Sequence, residues 1–130
     1  MFVVRLRVFM NNYKQLDAWK IAMSLVTEVY KVTKEYPKEE LYGLTSQTRR
    51  AVVSIPANIA EGIGRQYKKD TLQFLHIARG SLYELETLLT IAVNIEILSK
   101  SNHEAIIPVW EKSIQTLSGL INYYEKTNLK

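Results

Sequence analysis

The chain has 130 residues, a net charge of +4 at pH 7 and no cysteine. This length corresponds to one domain with its own hydrophobic core, and the lack of cysteine excludes disulfides and thiolate metal sites. It also fits a reducing compartment, so we predict a cytoplasmic protein. No apolar run reaches the roughly 18 residues that a membrane helix requires, and we expect no membrane association.

The basic charge is concentrated in the middle of the chain. Residues 45–80 have a net charge of +4, whereas residues 1–44 have +2 and residues 81–130 have −2. A cluster of this kind can attract anionic partners, although on a helical protein it is also common as solvated surface.

The first residues differ from the rest in their pattern. Apolar and basic residues alternate from Val4 to Val8, which is the period of an extended strand, but no other segment predicts a strand to pair with it. We therefore predict that residues 1–12 are a disordered or extended N-terminal extension and that residues 13–130 form a single domain. Met10 offers an alternative start, and an arm that pairs with another subunit is the functional alternative.

Two helices are predicted in the first half of the chain. Apolar residues at helical spacing indicate helix one from Gln15 to Glu35, which Pro37 ends. Helix two is predicted from Thr45 to Gly64, with the Thr45 hydroxyl as its N-cap. Pro56 lies inside this helix, where we expect a bend.

Two longer helices are predicted in the second half. Helix three runs from Lys68 to Ser99 and is apolar over more than half of its circumference. Gly80 lies in the middle of it, which we interpret as a close approach by a neighbouring helix. Helix four is predicted from Asn102, capped by Ser101 or Asn102 itself, to Lys126, with a kink or restart at Pro108. The fold prediction is therefore an all-α, antiparallel up-down-up-down four-helix bundle.

A polar stripe runs along helix two, and one glutamate interrupts the apolar side of helix three. Because an unpaired buried carboxylate is costly, we expect Glu84 to be buried against this stripe, and Glu84→Ala to destabilise the fold by about 3 kcal/mol. The alternative is a solvated face with one stray glutamate. The predicted polar seam between the two helices consists of Arg50, Ser54, Asn58, Glu61 and Glu84.

The sequence offers little support for catalysis. The two histidines, His76 and His103, lack the glutamate three residues earlier that di-iron bundles use, and no cluster has zinc spacing. Gly62-Ile63-Gly64 follows no strand, which argues against a phosphate-binding loop. We therefore predict no enzymatic activity, no catalytic residues, no metal, no cofactor and no small-molecule substrate.

The candidate nucleic-acid-binding residues lie on helix two and in the turn after it. Basic side chains contact phosphates, and a tyrosine can stack on an unpaired base. The alternative is an ordinary solvated helix end with Tyr67 as a packing residue. The predicted set is Arg49, Arg65, Tyr67, Lys68 and Lys69.

Several short motifs of the chain recur in one protein family. They are Arg49-Arg50-Ala51, Ser54-Ile55, Asn58-Ile59-Ala60-Glu61-Gly62, Phe74-Leu75, Ile77-Ala78-Arg79-Gly80-Ser81 and Glu84-Leu85-Glu86. With these motifs the chain resembles the bacterial 23S rRNA-intervening sequence proteins from about Leu16 to Leu98, with a looser match through helix four. The resemblance implies a four-helix bundle. The family is in turn similar to a related group, the accessory variability proteins of diversity-generating retroelements. This second resemblance implies a basic pentameric ring that binds nucleic acid and a reverse transcriptase.

These observations lead to one functional hypothesis and one alternative. The apolar helix three and the eight tyrosines favour a homo-oligomer, for which the resemblance implies a pentamer. We expect a non-enzymatic bundle that binds RNA or a ribonucleoprotein through the basic helix-two and turn surface. The alternative is a protein-binding scaffold of the same fold without a nucleic-acid role.

Overall fold

The computed structural model describes residues 11–128 and is all-helical over that range. Its four α-helices are α1 (Asp17–Thr33), α2 (Ser46–Ile63), α3 (Lys68–Asn94) and α4 (Lys100–Lys126). They confirm the predicted all-α four-helix bundle. The alternating segment from Val4 to Val8 lies outside the described residues, and the last two residues of the predicted extension belong to a 3-10 turn, Asn11–Gln15.

One hydrophobic core joins the four helices. Its fully buried side chains come from every helix, and each contributes roughly 1.5–3 kcal/mol through removal of its apolar surface from water. The largest of them are Leu25, Ile55, Ile59, Leu75, Leu82, Leu85, Ile106, Leu117 and Ile121.

The start of α2 differs from the prediction. Thr45 has helical backbone angles and makes no side-chain capping bond, because a π-helical turn, Leu41–Thr45, leads directly into the helix. Capping of this turn is provided upstream, where the Glu40 carboxylate accepts a hydrogen bond from the backbone N–H of Leu44 at 3.2 Å. The prediction of Thr45 as a hydroxyl cap was therefore wrong. Pro56 lies inside a single helix.

The connection between α3 and α4 also differs from the prediction. α3 ends at Asn94, five residues early, because Glu96 adopts a left-handed conformation with φ 64°. The backbone N–H groups of Ile97 and Leu98 then both donate to the carbonyl of Ala92. α4 begins at Lys100 and is capped by Ser99, whose hydroxyl accepts from the N–H of Asn102. The predicted caps, Ser101 and Asn102, were wrong by two or three residues.

Pro108 does not divide α4, which continues through it to Lys126. Within residues 11–128, no helix combines the length and the apolarity needed to cross a membrane.

Candidate nucleic-acid interface

The contact between α2 and α3 includes a small network of uncharged polar groups. The Ser54 and Ser81 hydroxyls lie 2.9 Å apart, and Ser81 is buried. The Asn58 side-chain amide donates to both the carbonyl and the hydroxyl of Ser54, at 2.8 and 2.9 Å. Of the predicted seam residues, Ser54 therefore bonds a serine of α3 that was not in the predicted set, and Asn58 bonds Ser54.

The charged members of the predicted seam lie elsewhere. Glu84 is exposed, and it lines a hollow of about 340 Å³ together with Arg50, although neither has an ion pair within residues 11–128. Glu61 instead pairs with Arg65, in the turn directly after its own helix, at 2.7 Å. The expected burial of Glu84 was therefore wrong, because the apolar band of α3 is wider than the face that the other helices cover.

The uncovered part of that band forms a stripe along α3, which we call the α3 stripe. At about 100° per residue its members lie within a narrow angular range on one side of the helix. It consists of Ile77, Gly80, Glu84 and Ile91 on the helix and Ile95 directly after its end, all exposed. A Cβ atom on Gly80 would meet no atom within 4 Å. The close helix approach expected at Gly80 is therefore absent from the described part of the single chain.

Two residues of the basic turn after α2 are held by contacts within the chain. The Arg65 guanidinium lies 4.7 Å from the centre of the Phe74 ring and also bonds Glu61. The Lys68 ammonium donates to the carbonyl of Thr127 at 3.1 Å and to that of Glu125 at 3.4 Å. A cation at this end of α4 interacts favourably with the helix dipole.

The other two residues of the turn face solvent. Tyr67 is 55% exposed, and Lys69 is also exposed. Behind the turn, the Thr71 hydroxyl donates to the carbonyl of Gly62 at 2.8 Å, which ties the start of α3 to the end of α2. The structure therefore presents an aromatic ring and an ammonium group on a firmly held turn.

Arg49 lies apart from this turn. Its Nε donates to the buried Thr33 hydroxyl at 2.9 Å, and its guanidinium lies 4.5 Å from the centre of the Tyr30 ring. Sixteen residues separate it from Arg65, which corresponds to about 24 Å along a helix. The five predicted nucleic-acid-binding residues therefore occupy two separate places on the surface, near the two ends of α2.

An open groove beside Arg49 was not predicted from the sequence. It has a volume of about 610 Å³ and lies between α1, α2 and the Leu41–Thr45 turn. Its walls include Leu41 and Tyr42, both exposed, and Arg50. The available signal was Leu41-Tyr42, two large side chains in a connecting segment directly before a helix with two adjacent arginines.

His76 makes only surface contacts. His76 Nδ1 lies 3.2 Å from a guanidinium nitrogen of Arg79, and its Nε2 lies 3.7 Å from the Glu125 carboxylate. Across residues 11–128, no three His, Asp or Glu side chains are grouped so that they could hold a metal ion.

Comparison with known proteins identifies the family. Residues 14–122 match the model of the family described as 23S rRNA-intervening sequence protein, so the match includes most of α4, where the resemblance was looser. A comparison with curated proteins finds no match. Since the family match covers well over half of the sequence, the chain belongs to the 23S rRNA-intervening sequence protein family.

Proposed function

We propose that this chain is a non-enzymatic homo-oligomeric bundle that binds RNA or a ribonucleoprotein through the basic surface of α2 and the following turn. The observation that carries the proposal is the turn itself, where Tyr67 and Lys69 are exposed beside Arg65 and Lys68. Ion pairs at the surface are worth little, so Arg65 can exchange Glu61 for a phosphate at small cost. A cytoplasmic location stays a prediction from the absence of cysteine.

The helix order within the proposal is antiparallel, up-down-up-down. Two contacts between α3 and α4 support it. Lys68 at the start of α3 bonds carbonyls at the end of α4. The Trp110 indole N–H, nearer the start of α4, donates to the carbonyl of Leu82 in the middle of α3 at 2.7 Å.

The oligomer is proposed to form through the α3 stripe. Its three isoleucines, Ile77, Ile91 and Ile95, are between 41% and 54% exposed. Glycine in the middle of a helix costs about 1 kcal/mol relative to alanine, and open space at Gly80 leaves room for a helix of a second copy. An apolar stripe with one small and one charged member fits an interface that specifies its register. The resemblance described above implies a ring of five.

A salt titration tests the RNA proposal. We expect binding of a fluorescent single-stranded RNA to weaken steeply with rising salt, because each phosphate contact releases counterions. Lys69→Gln should flatten that dependence, whereas the exposed Lys112→Gln on α4 should not.

The second candidate is a protein-binding scaffold of the same fold. It is favoured by the engagement of Arg65 and Lys68 within the chain, which leaves fewer free cations than the sequence predicts. In that case the protein would not bind RNA, or Lys69→Gln would leave the RNA affinity and its salt dependence unchanged.

A further inference from the structure

The groove beside Arg49 combines aromatic, apolar and cationic walls. It is open and has a volume of about 610 Å³, within the size range of ligand sites. The residues that matter here are Tyr30, Leu41, Tyr42, Arg49, Arg50 and Val53.

Tyr42 is unusually exposed for a large aromatic side chain. Its exposed fraction is 94%, the highest among the exposed large hydrophobic residues described in the structure. Nothing in the described chain covers this ring, so both its faces are open to a planar partner. Leu41 and Val53, at 48% and 42%, add apolar surface to the same groove.

The two arginines of the groove have no ion pair within residues 11–128. None of the nine residues that line it is an aspartate or a glutamate. Arg50 has no side-chain hydrogen bond or ion pair within residues 11–128. The groove therefore complements an anion.

Arg49 is already oriented before any ligand arrives. Its Nε is bonded to Thr33, and the Thr33 hydroxyl in turn donates to the Val29 carbonyl at 2.8 Å. The Tyr30 ring supports the guanidinium from one side. Because this arginine loses little rotamer freedom on binding, its contact with an anion has a smaller entropic cost.

We propose that this groove binds an unpaired RNA base together with its phosphate, a proposal that rests on the RNA binding proposed above. The base stacks on Tyr42 beside Leu41 and Val53, while Arg50 and the remaining donors of Arg49 hold the phosphate. Only an unpaired nucleotide offers a free base face and a phosphate together, so the groove selects single-stranded over duplex RNA. An acidic protein segment is the other occupant that the same chemistry admits.

The test is fluorescence anisotropy with a labelled 12-nucleotide single-stranded RNA of mixed sequence and with its duplex. We expect the single strand to bind more tightly than the duplex. Tyr42→Ala should weaken single-strand binding roughly 5- to 150-fold, the range for loss of one stacked base, and leave its salt dependence unchanged. Arg50→Gln should lower the slope of log affinity against log salt by about 0.7. Tyr123→Ala and Lys112→Gln, exposed on α4, are the matched controls.

Two results would overturn the assignment of the groove while leaving RNA binding intact. A third would overturn the proposed function itself. If the unmodified protein binds the RNA but Tyr42→Ala and Arg50→Gln bind equally well, RNA binds elsewhere and the groove serves another partner, such as a protein segment. If duplex binds as tightly as single strand, base stacking in the groove is wrong. If the unmodified protein binds no RNA at low salt, the proposed function itself fails.

Discussion

The hydroxyls of Ser54 on α2 and Ser81 on α3 lie 2.9 Å apart, and this hydrogen bond is the central polar contact between the two helices. The Asn58 amide bonds the same Ser54 hydroxyl. A hydrogen bond of this kind contributes about 1 kcal/mol, but a buried partner left without one costs more. Ser54 therefore holds two groups at once.

Removal of this network should show strong coupling between its members. We expect Ser81→Ala to lower the free energy of unfolding by about 1 kcal/mol and Ser54→Ala by somewhat more, because the latter leaves the Ser81 hydroxyl unpaired and removes one of the two hydrogen bonds of the Asn58 amide. In the double variant the losses should be less than additive by at least about 0.5 kcal/mol. Urea unfolding of the four proteins measures this, and additive losses would contradict the network.

Glu84→Ala is the natural control for that experiment. Since Glu84 is exposed, its removal should change the free energy of unfolding by less than about 0.5 kcal/mol. A loss near 3 kcal/mol would instead indicate that the Glu84 carboxylate is buried, as the sequence predicted.

The end of α2 requires glycine at one position. A Cβ atom on Gly62 would lie 3.0 Å from both the Phe74 Cβ and the Thr71 carbonyl oxygen, so α3 would have to shift. We expect Gly62→Ala to destabilise the fold by about 1–3 kcal/mol. Gly119→Ala on α4, where a Cβ atom would meet nothing within 4 Å, should instead stabilise it by up to about 1 kcal/mol. Thermal unfolding compares the two, and equal shifts would show that the α2–α3 contact is looser than described.

The proposed interface on α3 can be tested by charge. Ile91→Glu should reduce the mass of the assembly measured by light scattering, because it places an unpaired carboxylate in an apolar contact. Met23→Glu on α1 is matched to it, since both side chains are 41% exposed. Circular dichroism must show both variants folded. Assembly that survives Ile91→Glu but not Met23→Glu would move the interface to α1.

The two lysines of the basic turn should behave differently. Lys68→Gln removes a cation from the carbonyl end of α4, so it should lower stability by about 0.5–1 kcal/mol. Lys69→Gln should leave stability unchanged within about 0.5 kcal/mol, because its side chain is exposed and makes no ion pair in the described chain. Urea unfolding at low salt separates the two, and identical effects would contradict the role of Lys68.

A buried tyrosine makes the protein sensitive to high pH. Tyr36 is buried, its hydroxyl has no hydrogen-bond partner in the described chain, and burial raises its pKa to about 12 from the usual 10. Folding therefore favours the neutral, protonated form of the Tyr36 hydroxyl. The stability that it contributes is complete below pH 10 and is lost as the pH rises to about 12.

Tyr36→Phe should remove part of this alkaline loss. We also expect it to raise stability at neutral pH by up to about 1 kcal/mol, because an unsatisfied buried hydroxyl is removed. Melting temperatures of both proteins between pH 7 and 12 test this. Parallel curves over the whole range would mean that the hydroxyl reaches water.

Much of the fold was predictable because helical periodicity and prolines are local signals. The four helices followed from such signals, whereas the continuity of α2 through Pro56 and the family followed from the resemblance in short motifs. The helix ends did not, since they depend on backbone details. The left-handed Glu96 ends α3 early, and the π-helical turn at Leu41–Thr45 replaces a threonine cap.

The surface was harder to predict than the core. Glu84 and Gly80 lie on an apolar band, and the sequence alone cannot tell which part of that band other helices cover. Likewise, whether the Lys68 ammonium is bonded within the chain or open to solvent depends on the Thr127 carbonyl, which lies 59 residues away in the sequence. The groove at Tyr42 combines two helices and a turn, so no single stretch of sequence describes it.

The most direct test of the account is the light-scattering mass of the purified protein, with and without a mixed pool of cellular RNA, at low and at moderate salt. We predict a mass that is a multiple of the 15.0 kDa chain and that gains RNA at low salt and loses it at moderate salt. A 15.0 kDa species with no RNA at either salt concentration would contradict both the assembly and the RNA binding.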